Sequence, residues 1–426
     1  MRYIARLLRR ILIFFVLLAL AAAAGAAIVI AWAPAISPVE PPDRASFSRA
    51  AILRGATLAA LGDCAVCHTA PNGRPYAGGR GVSTPFGTVF ATNITPDPAT
   101  GVGRWSLAAF SRAMRDGIDR DGRHLYPVLP YPHFIRATDD DIAAIYAFLM
   151  TRTPLERVAQ PNELVFPFNW RPLLAGWNLL FLRPGQWEPD PSKDAEWNQG
   201  AYLVDAIGHC GACHTPHNAA GAEQVNRALT GGEADGWYAP ALRSGTQAPQ
   251  AWTVDSLAAY LRTGFDKSHG AAAGPMAPVT HQLAAVPETD VRAVAVYIAS
   301  LMPPAPAPAA ERQPQPKQVA DSPAFDGACG ACHAAVAPMT RNGAPPLGLS
   351  TAVSAPTARN VVDLILYGIP WREGHAGPYM PAFSATLTDN QVAELATYVR
   401  ARYGDQPAWP DVEATVREAR RQGGGS

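Results

Sequence analysis

All six cysteines of this chain lie in three copies of one short motif. The copies are Cys64-Ala-Val-Cys67-His68, Cys210-Gly-Ala-Cys213-His214 and Cys329-Gly-Ala-Cys332-His333. In a C-x-x-C-H unit the two thiols stand one helical turn apart and become thioethers to porphyrin vinyl groups, while the adjacent imidazole binds the iron. The motif therefore predicts three covalently attached haem c groups, held by these cysteines, with His68, His214 and His333 as proximal iron ligands.

Two other interpretations of the motif are weaker. A structural zinc site needs four ligands, and no cysteine is left over to complete each Cys₂His set. A dithiol redox centre explains neither the three histidines nor the threefold recurrence. Haem attachment accounts for both.

The sequence after each motif repeats as well, as expected for tandem units. An apolar helical pattern ends at a glycine in each unit: Gly117, Gly264 and Gly368. Twelve residues further on stand Leu129, Met276 and Met380. A proline follows within two residues, and then a capped helix is predicted to begin near Thr138, Thr289 or Thr388, the last with a capping box to Gln391.

The shared position of Met276 and Met380 predicts that both are distal haem ligands, an arrangement that raises the haem potential. The alternative role of a methionine is to fill a core. We expect that role for Met114, because it stands three residues before its glycine, in the slot that Leu261 and Ile365 occupy in the other units.

The first unit differs, because Leu129 cannot bind iron. Two histidines flank it, His124 five residues before and His133 four residues after. We favour His133 as the sixth ligand, since it lies in the loop that leads into the closing helix. His124, or an open iron that small ligands could reach, are the alternatives.

The N-terminus carries an uncharged run of 22 residues from Ile11 to Trp32, preceded by Arg2, Arg6, Arg9 and Arg10. Such a run is long enough to span a bilayer. The arginines favour a cytoplasmic N-terminus and a periplasmic body. We therefore predict an inner-membrane anchor with periplasmic haem domains; a cleaved signal peptide is the alternative.

The predicted fold is all-α: three tandem class I cytochrome c domains with long loops after the N-terminal transmembrane helix. The expected segments are an anchor or signal peptide (1–33), domain 1 (45–158), an aromatic linker (159–195), domain 2 (196–302), a Pro-rich linker (303–318), domain 3 (319–404) and a charged C-terminal tail (405–426). The aromatic linker is expected to pack between domains or to lie against a partner or the membrane interface.

Several classes of function are disfavoured. The 35 Lys and Arg balance the 35 Asp and Glu, so nucleic acid is not expected as a partner. No P-loop, dinucleotide-binding glycine motif or nucleophile elbow is present in the sequence.

Longer stretches around the motifs carry a family resemblance. They include Thr84-Pro-Phe-Gly-Thr88, Ala91-Thr-Asn-Ile-Thr-Pro-Asp97 and Gly208-His-Cys-Gly-Ala-Cys-His-Thr-Pro216. With these stretches the chain resembles the tri-haem cytochrome c subunits of membrane-bound bacterial dehydrogenases, over nearly its whole length after residue 33. The cytochromes of alcohol and gluconate dehydrogenases normally present Met in the first distal loop, so Leu129 is a departure. The His-Leu-Tyr-Pro loop and Pro167-Phe-Asn-Trp-Arg-Pro172 are more similar to cytochromes paired with molybdenum hydroxylases.

The resemblance implies an electron relay rather than an enzyme in its own right. Its expected partners are a molybdopterin-type dehydrogenase subunit acting on aldehydes or N-heterocycles, an iron–sulfur subunit, the membrane, and ubiquinone or a downstream cytochrome or oxidase as acceptor. One alternative is the same relay for a PQQ alcohol dehydrogenase or a flavin gluconate-type dehydrogenase. A haem peroxidase with an open first haem is a remote alternative from another class.

Overall fold

The computed structural model describes residues 11, 13–18, 25, 33–303, 316–334, 346–370 and 378–423. These residues form three units, each with one C-x-x-C-H motif. A short helix carries each motif, a middle helix follows it, and a closing helix packs back onto the unit.

The first unit begins with a 3₁₀ turn (Arg44–Ser46). Its helices are α1 (Arg49–Leu61), α2 with the first motif (Cys64–Cys67), α3 (Leu107–Asp116), α4 (Tyr131–Phe134) and the closing helix α5 (Asp139–Met150). Strands β1 (Gly81–Thr84) and β2 (Gly87–Phe90) form a hairpin to which β3 (Glu163–Leu164) adds antiparallel. The N-cap of α5 is Thr138, whose hydroxyl accepts from the Asp141 N–H, as the sequence predicts.

The second unit follows α6 (Leu173–Phe181). Its helices are α7 (Ala195–Tyr202), which continues as a π-helical turn (Leu203–Ile207), α8 with the second motif (Gly211–His214), α9 (Val254–Thr263), α10 (Met276–Leu283) and α11 (Glu288–Leu301); a 3₁₀ turn spans Val225–Arg227. Two hairpins, β4 (Gly232–Ala234) with β5 (Trp237–Ala239) and β6 (Phe265–Asp266) with β7 (Gly270–Ala271), complete it. The closing helix begins at Glu288 after Pro287, one residue before the predicted Thr289.

The third unit contains α12 (Pro323–Ala328), α13 with the third motif (Gly330–His333), a 3₁₀ turn (Leu347–Leu349), α14 (Thr351–Ser354), α15 (Arg359–Tyr367), α16 (Asp389–Tyr403) and α17 (Val412–Gln422). The capping box of Thr388 and Gln391 at the start of α16 is present, as predicted.

Two findings correct the predicted fold class. The chain is not all-α, because three small antiparallel sheets occur in its loops. These strands are two to four residues long, too short to show a clear alternating pattern in the sequence. The predicted transmembrane helix is also corrected: within the described part of the chain, no helix is both long and apolar enough to cross a bilayer. Of the predicted span, only residues 11, 13–18 and 25 are described.

The buried apolar side chains of the described residues form two clusters. The first two units share one continuous cluster of buried side chains, which includes Leu58, Phe148, Leu203 and Ile298. The third unit has its own cluster. Most of the predicted Pro-rich linker, residues 304–315, lies outside the described residues.

The predicted charged tail belongs to the third core. Helix α17 buries Val412, Val416 and Ala419 against α15 and α16. These residues recur at helical spacing, so one side of α17 is apolar although its other side is charged. The high charge of the segment concealed this pattern.

Candidate haem attachment sites

The histidines of the first two motifs are oriented by backbone carbonyls. His68 Nδ1 lies 2.7 Å from the carbonyl oxygen of Thr92, and His214 Nδ1 lies 2.7 Å from that of Pro240. A proton on Nδ1 leaves Nε2 as the metal-binding nitrogen and holds the ring plane. Burial lowers the pKa of both rings, so the neutral form that binds iron is favoured.

These two carbonyl acceptors were not identified from the sequence. Thr92 and Pro240 lie 24 and 26 residues after their motif histidines, and because both contacts use backbone carbonyls, the side chains at these positions carry no signal for them. Counted back from the helix-ending glycines, the matching position of the third unit is residue 343 or 344, which lies outside the described residues.

The second and third motifs open into one cavity of about 710 Å³. The residues predicted to hold two haems all line it: Cys210, Cys213, His214 and Met276 from the second unit, and Cys329, Cys332, His333 and Met380 from the third. The walls are otherwise mainly apolar and aromatic, as ligand pockets usually are. The structure therefore brings each predicted proximal histidine and its predicted methionine to the same cavity.

The loops that carry Leu129 and Met276 have the same backbone register. The N–H of Leu125 donates to the Gly117 carbonyl at 2.7 Å, and that of Ala272 donates to the Gly264 carbonyl at 2.8 Å. Four residues after each of these pairings stand Leu129 and Met276. Leu129 thus occupies in the first unit the place that Met276 occupies in the second.

In the third unit, Met380 pairs with Ile369 through two backbone hydrogen bonds, directly after Gly368. The three glycines that end helices α3, α9 and α15 all have positive φ, at 61°, 72° and 67°. Met114 is buried in the shared core on α3, as predicted.

The donor set of the cavity fits haem c. The indole Nε1 of Trp237 is buried and has no hydrogen-bond acceptor among the described residues, although Trp237 lines the cavity. A buried donor of this kind requires an acceptor, and a haem propionate would supply one. The sequence contained no signal for this role of Trp237.

The cysteines do not resemble a dithiol redox centre. Burial raises the pKa of Cys64, Cys210 and Cys213 to about 12. Reactive thiols in such centres instead have a lowered pKa. These protonated, half-buried thiols are suited to thioether attachment.

His133, the predicted sixth ligand of the first haem, already has a hydrogen-bond partner at each ring nitrogen. His133 does not face solvent or a free space: its Nδ1 lies 2.9 Å from the Asp205 carbonyl oxygen and its Nε2 lies 2.6 Å from Glu223 Oε1, both in the second unit. Iron binding by His133 would require Glu223 to release the ring, so this assignment stays a prediction. His124 is buried, and its backbone pairs with Ile118.

The pKa shifts of His133 and Glu223 favour a charged pair. Burial lowers the pKa of His133, but the hydrogen bond and charge of Glu223, together with Asp205, outweigh it and leave the pKa raised. Burial raises the pKa of Glu223, yet His133 outweighs it and the pKa of this carboxyl is lowered. Both shifts favour the imidazolium–carboxylate form, which stabilises the contact between the first two units.

The first and second motifs are themselves neighbours. His209 directly precedes Cys210, and its Nε2 lies 3.2 Å from the carbonyl oxygen of Gly62, two residues before Cys64. Arg80 and Asp235 form an ion pair of 3.5 Å across the same boundary. The second motif therefore lies between the first motif and the cavity that it shares with the third.

Three motif helices, oriented imidazoles and methionine-bearing loops define a cytochrome c with three attachment sites. A family model described as cytochrome c matches residues 52–153, and one described as cytochrome c oxidase, cbb3-type, subunit III matches residues 322–399. Haem c is thus the cofactor that the chain carries.

Similar proteins identify more closely which kind of cytochrome c this chain is. The fructose dehydrogenase cytochrome subunit of Gluconobacter japonicus is 34% identical, over 90% of this chain and 85% of that protein. The cytochrome c subunit of the quinone alcohol dehydrogenase of Gluconacetobacter polyoxogenes is also 34% identical, over 88% of this chain and 85% of that protein. The chain belongs to the family of dehydrogenase cytochrome c subunits, and it is an electron-transfer protein.

Another relative is more similar in sequence but much longer. A nicotinate dehydrogenase subunit of Pseudomonas putida is 47% identical over 405 residues, which are 93% of this chain. The chain spans only 34% of the length of that protein. It therefore corresponds to about a third of that relative.

Proposed function

We propose that this chain relays electrons from a periplasmic molybdenum-type hydroxylase, acting on N-heterocycles or aldehydes, to ubiquinone or a downstream cytochrome or oxidase. The observation that carries the choice of partner is the 47% identity to the nicotinate dehydrogenase relative, against 34% to the fructose and alcohol dehydrogenase cytochromes. Leu129 supports the same choice, since the resemblance to the alcohol and gluconate branch would call for Met there. An iron–sulfur subunit is the expected link between the hydroxylase and this chain.

The proposed haem ligands follow from the site. Cys64 with Cys67, Cys210 with Cys213 and Cys329 with Cys332 hold the three porphyrins, and the adjacent histidines bind iron. Met276 and Met380 complete the second and third sites. Bound haem c supplies one-electron transfer between ferric and ferrous iron.

Contacts among the chain's own residues indicate the order of the three haem sites in the relay. Thr92 and Pro240 hold His68 and His214 with Nε2 available to the metal. His209 joins the first attachment helix to the second, and the shared cavity joins the second to the third. This arrangement supports a linear path in which the second site is the intermediate one.

A second candidate is the same relay for a quinoprotein alcohol dehydrogenase or a flavin-dependent sugar or sugar-acid dehydrogenase. The observation in its favour is coverage: this chain spans 85% of the fructose and alcohol dehydrogenase cytochromes but 34% of the nicotinate dehydrogenase relative.

The experiment is to purify the native complex through an affinity tag on this chain and to identify the cofactor of the stoichiometric partner. Molybdenum with iron–sulfur clusters is the expected result. PQQ or flavin in the partner would replace the first candidate with the second. A chain that purifies without any dehydrogenase, yet turns over peroxide, would contradict both.

A further inference from the structure

Two charged side chains form an ion pair at the junction between the first and second attachment helices. Arg80 lies in the first unit, directly before strand β1, and Asp235 lies at the tip of the β4–β5 hairpin in the second unit. Arg80 Nη2 lies 3.5 Å from Asp235 Oδ2, and only 21% and 24% of the two side chains are exposed. We call these two residues the junction pair. Because the pair is partly shielded from water, salt screens its charges less than those of a surface pair.

Arg80 is held against the first motif itself. Its Nη1 donates to the carbonyl of Val66, inside the motif, at 3.4 Å. Burial raises the pKa of the neighbouring Cys67 to about 11, and the charge of Asp63 adds to this shift. Arg80 acts to lower the pKa of the same thiol, and Asp235 acts to raise it. Both charges of the junction pair therefore act at an attachment cysteine of the first haem.

Asp235 is held against the second motif by its hairpin. Asp235 and Gly236 connect strands β4 and β5 with φ values of 46° and 79°, as in a two-residue turn with positive φ at both positions. At the other end of β4, a Cβ added to Gly232 would stand 2.4 Å from the carbonyl oxygen of Cys213. Burial raises the pKa of Cys213 to about 12, and Asp235 is the largest of the charges that add to this shift.

A second carboxyl group faces Arg80 at the same junction. Asp63, directly before the first motif, has a buried Oδ1 without a hydrogen-bond partner among the described residues. Burial raises the pKa of Asp63 to about 7, and Arg80 acts to lower it. Arg80 is thus a cation that faces two carboxyl groups, one from each side of the boundary between the first two units.

The third attachment site does not feel these charges. Burial and then Cys332 raise the pKa of Cys329 to about 11. Within the part of the chain that the structure describes, neither member of the junction pair contributes to that shift. The electrostatic influence of the pair is therefore confined to the first two sites.

From these contacts we propose that the junction pair sets the reduction potentials of the first two haems relative to the third, with Arg80 raising them and Asp235 lowering them. Reduction adds an electron to a haem, so a nearby cation favours the reduced form and a nearby carboxylate favours the oxidised form. At the effective permittivity of about 20 that suits charges in proteins, a neighbouring unit charge shifts a one-electron equilibrium by on the order of tenfold. The junction pair thereby sets the driving force for electron transfer between the second haem and the third.

The test is a potentiometric titration of the full-length, haem-loaded chain, followed by absorbance, which gives three midpoint potentials. Arg80→Gln should lower two of them by about tenfold in the one-electron equilibrium, or about 59 mV, and leave one at its natural value. Asp235→Asn should raise the same two by a similar amount. The titrations are run at about pH 9, about two units above the pKa of Asp63, so that this carboxylate keeps its charge in every variant.

Conservative variants separate charge from packing. Arg80→Lys keeps the cation and should give potentials close to the natural ones. Asparagine tolerates the positive φ at position 235, so Asp235→Asn retains the turn. Arg74→Gln removes an exposed cation of the same loop that does not contribute to the pKa of Cys67, and it should leave all three potentials unchanged. Thermal unfolding of each variant measures any loss of packing separately.

Opposite signs are the decisive result. A substitution that merely loosened the junction would let water reach the haems and would move the potentials in the same direction in both variants. Such a common direction would overturn the proposal, as would titrations in which no potential moves, only one moves, or all three move together. These outcomes do not depend on which dehydrogenase supplies the electrons, so they are distinct from a failure of the proposed partner.

Discussion

Gly55 packs against the backbone carbonyl of Ala144, and a Cβ added to Gly55 would stand 1.9 Å from that oxygen. Helix α1 can approach the closing helix α5 this closely only because residue 55 has no side chain. The second unit repeats the contact, since a Cβ on Gly200 would stand 1.9 Å from the carbonyl oxygen of Ala293 in α11. Two related units thus use the same glycine contact at their helix crossings.

Replacing either glycine should therefore separate the two helices. We expect Gly55→Ala and Gly200→Ala each to cost about 1–3 kcal/mol or more of folding free energy, the usual effect of overpacking. Thermal unfolding of the haem-loaded protein measures this cost. Gly176→Ala is the control, because nothing lies within 4 Å of a Cβ there and alanine favours the helix. Equal melting temperatures for all three variants would contradict the expectation.

The predicted role of Met276 and Met380 as iron ligands can be tested by replacing each with alanine. Met276→Ala and Met380→Ala should each remove thioether ligation from one haem and lower its reduction potential, while the cysteine attachments remain. Redox titration followed by absorbance measures both effects. Met114→Leu is the control: Met114 is buried in the core, so only a small stability change, below about 1.5 kcal/mol, is expected. An unchanged titration of the Met276 and Met380 variants would show that the loop register does not identify ligands.

The pair of His133 and Glu223 should make stability depend on pH. The pKa of His133 is raised above 6.5, so its contribution is present below pH 6.5 and is lost as pH rises through the raised value. The pKa of Glu223 is lowered below 4.5, so its contribution is present above pH 4.5 and is lost as pH falls through the lowered value. Glu223→Gln should lower the free energy of unfolding by about 1–3 kcal/mol between pH 4.5 and pH 6.5.

Denaturant unfolding of the natural protein and of Glu223→Gln over a series of pH values measures the effect. The difference in free energy of unfolding should be largest between pH 4.5 and 6.5 and should shrink in more alkaline buffer. A difference that stays constant across the series would mean that the pair is not ionised.

The substitution His133→Gln distinguishes two roles of this residue, pairing with Glu223 and binding the first iron. Because Glu223 and the Asp205 carbonyl occupy both ring nitrogens, we expect this variant to weaken the packing of the first two units, and an unchanged spectrum of the first haem would show that His133 does not bind its iron. Difference absorption spectroscopy of the oxidised and reduced protein gives the answer. A change in spin state at one haem would instead establish His133 as its sixth ligand. His217→Gln is a suitable control, because the backbone of His217 pairs with Glu223 while its side chain is exposed.

The third unit should be loosened from the second by a single substitution. The side chain of Asn360 accepts from the Tyr238 N–H and donates to the Tyr238 carbonyl, each at 2.9 Å. Asn360→Ala leaves both backbone groups without this partner and should cost about 1–3 kcal/mol. Limited proteolysis should then release the third unit at a lower denaturant concentration. The exposed Asn169→Ala should have no such effect.

The motif chemistry and the repeat could be predicted from the sequence because both are local. Cysteine spacing defines the attachment sites, and helix-ending glycines such as Gly264 have a recognisable pattern that also located Met276. The helix caps at Thr138 and Thr388 were predicted for the same reason, since a cap depends on residues three positions apart.

Contacts between distant residues could not be predicted. Glu223 meets His133 across 90 positions, and no local pattern links an acidic loop residue to a histidine of another unit. Trp237 is one of 10 tryptophans, and only the fold distinguishes it from the others as a buried donor in a haem cavity. The apolar side of α17 was missed because charge dominates its composition, and the short strands were missed because two to four residues show no period.

The cavity shared by the second and third motifs also constrains how the protein matures. Its walls come from two units that meet only after both have been synthesised, and Tyr238 and Asn360 join them beside it. Cys210, Cys213 and Cys329 are partly buried in the folded chain, so we expect an enzyme that attaches porphyrin to reach them more easily while these walls are apart. We therefore expect thioether formation to precede docking of the third unit against the second.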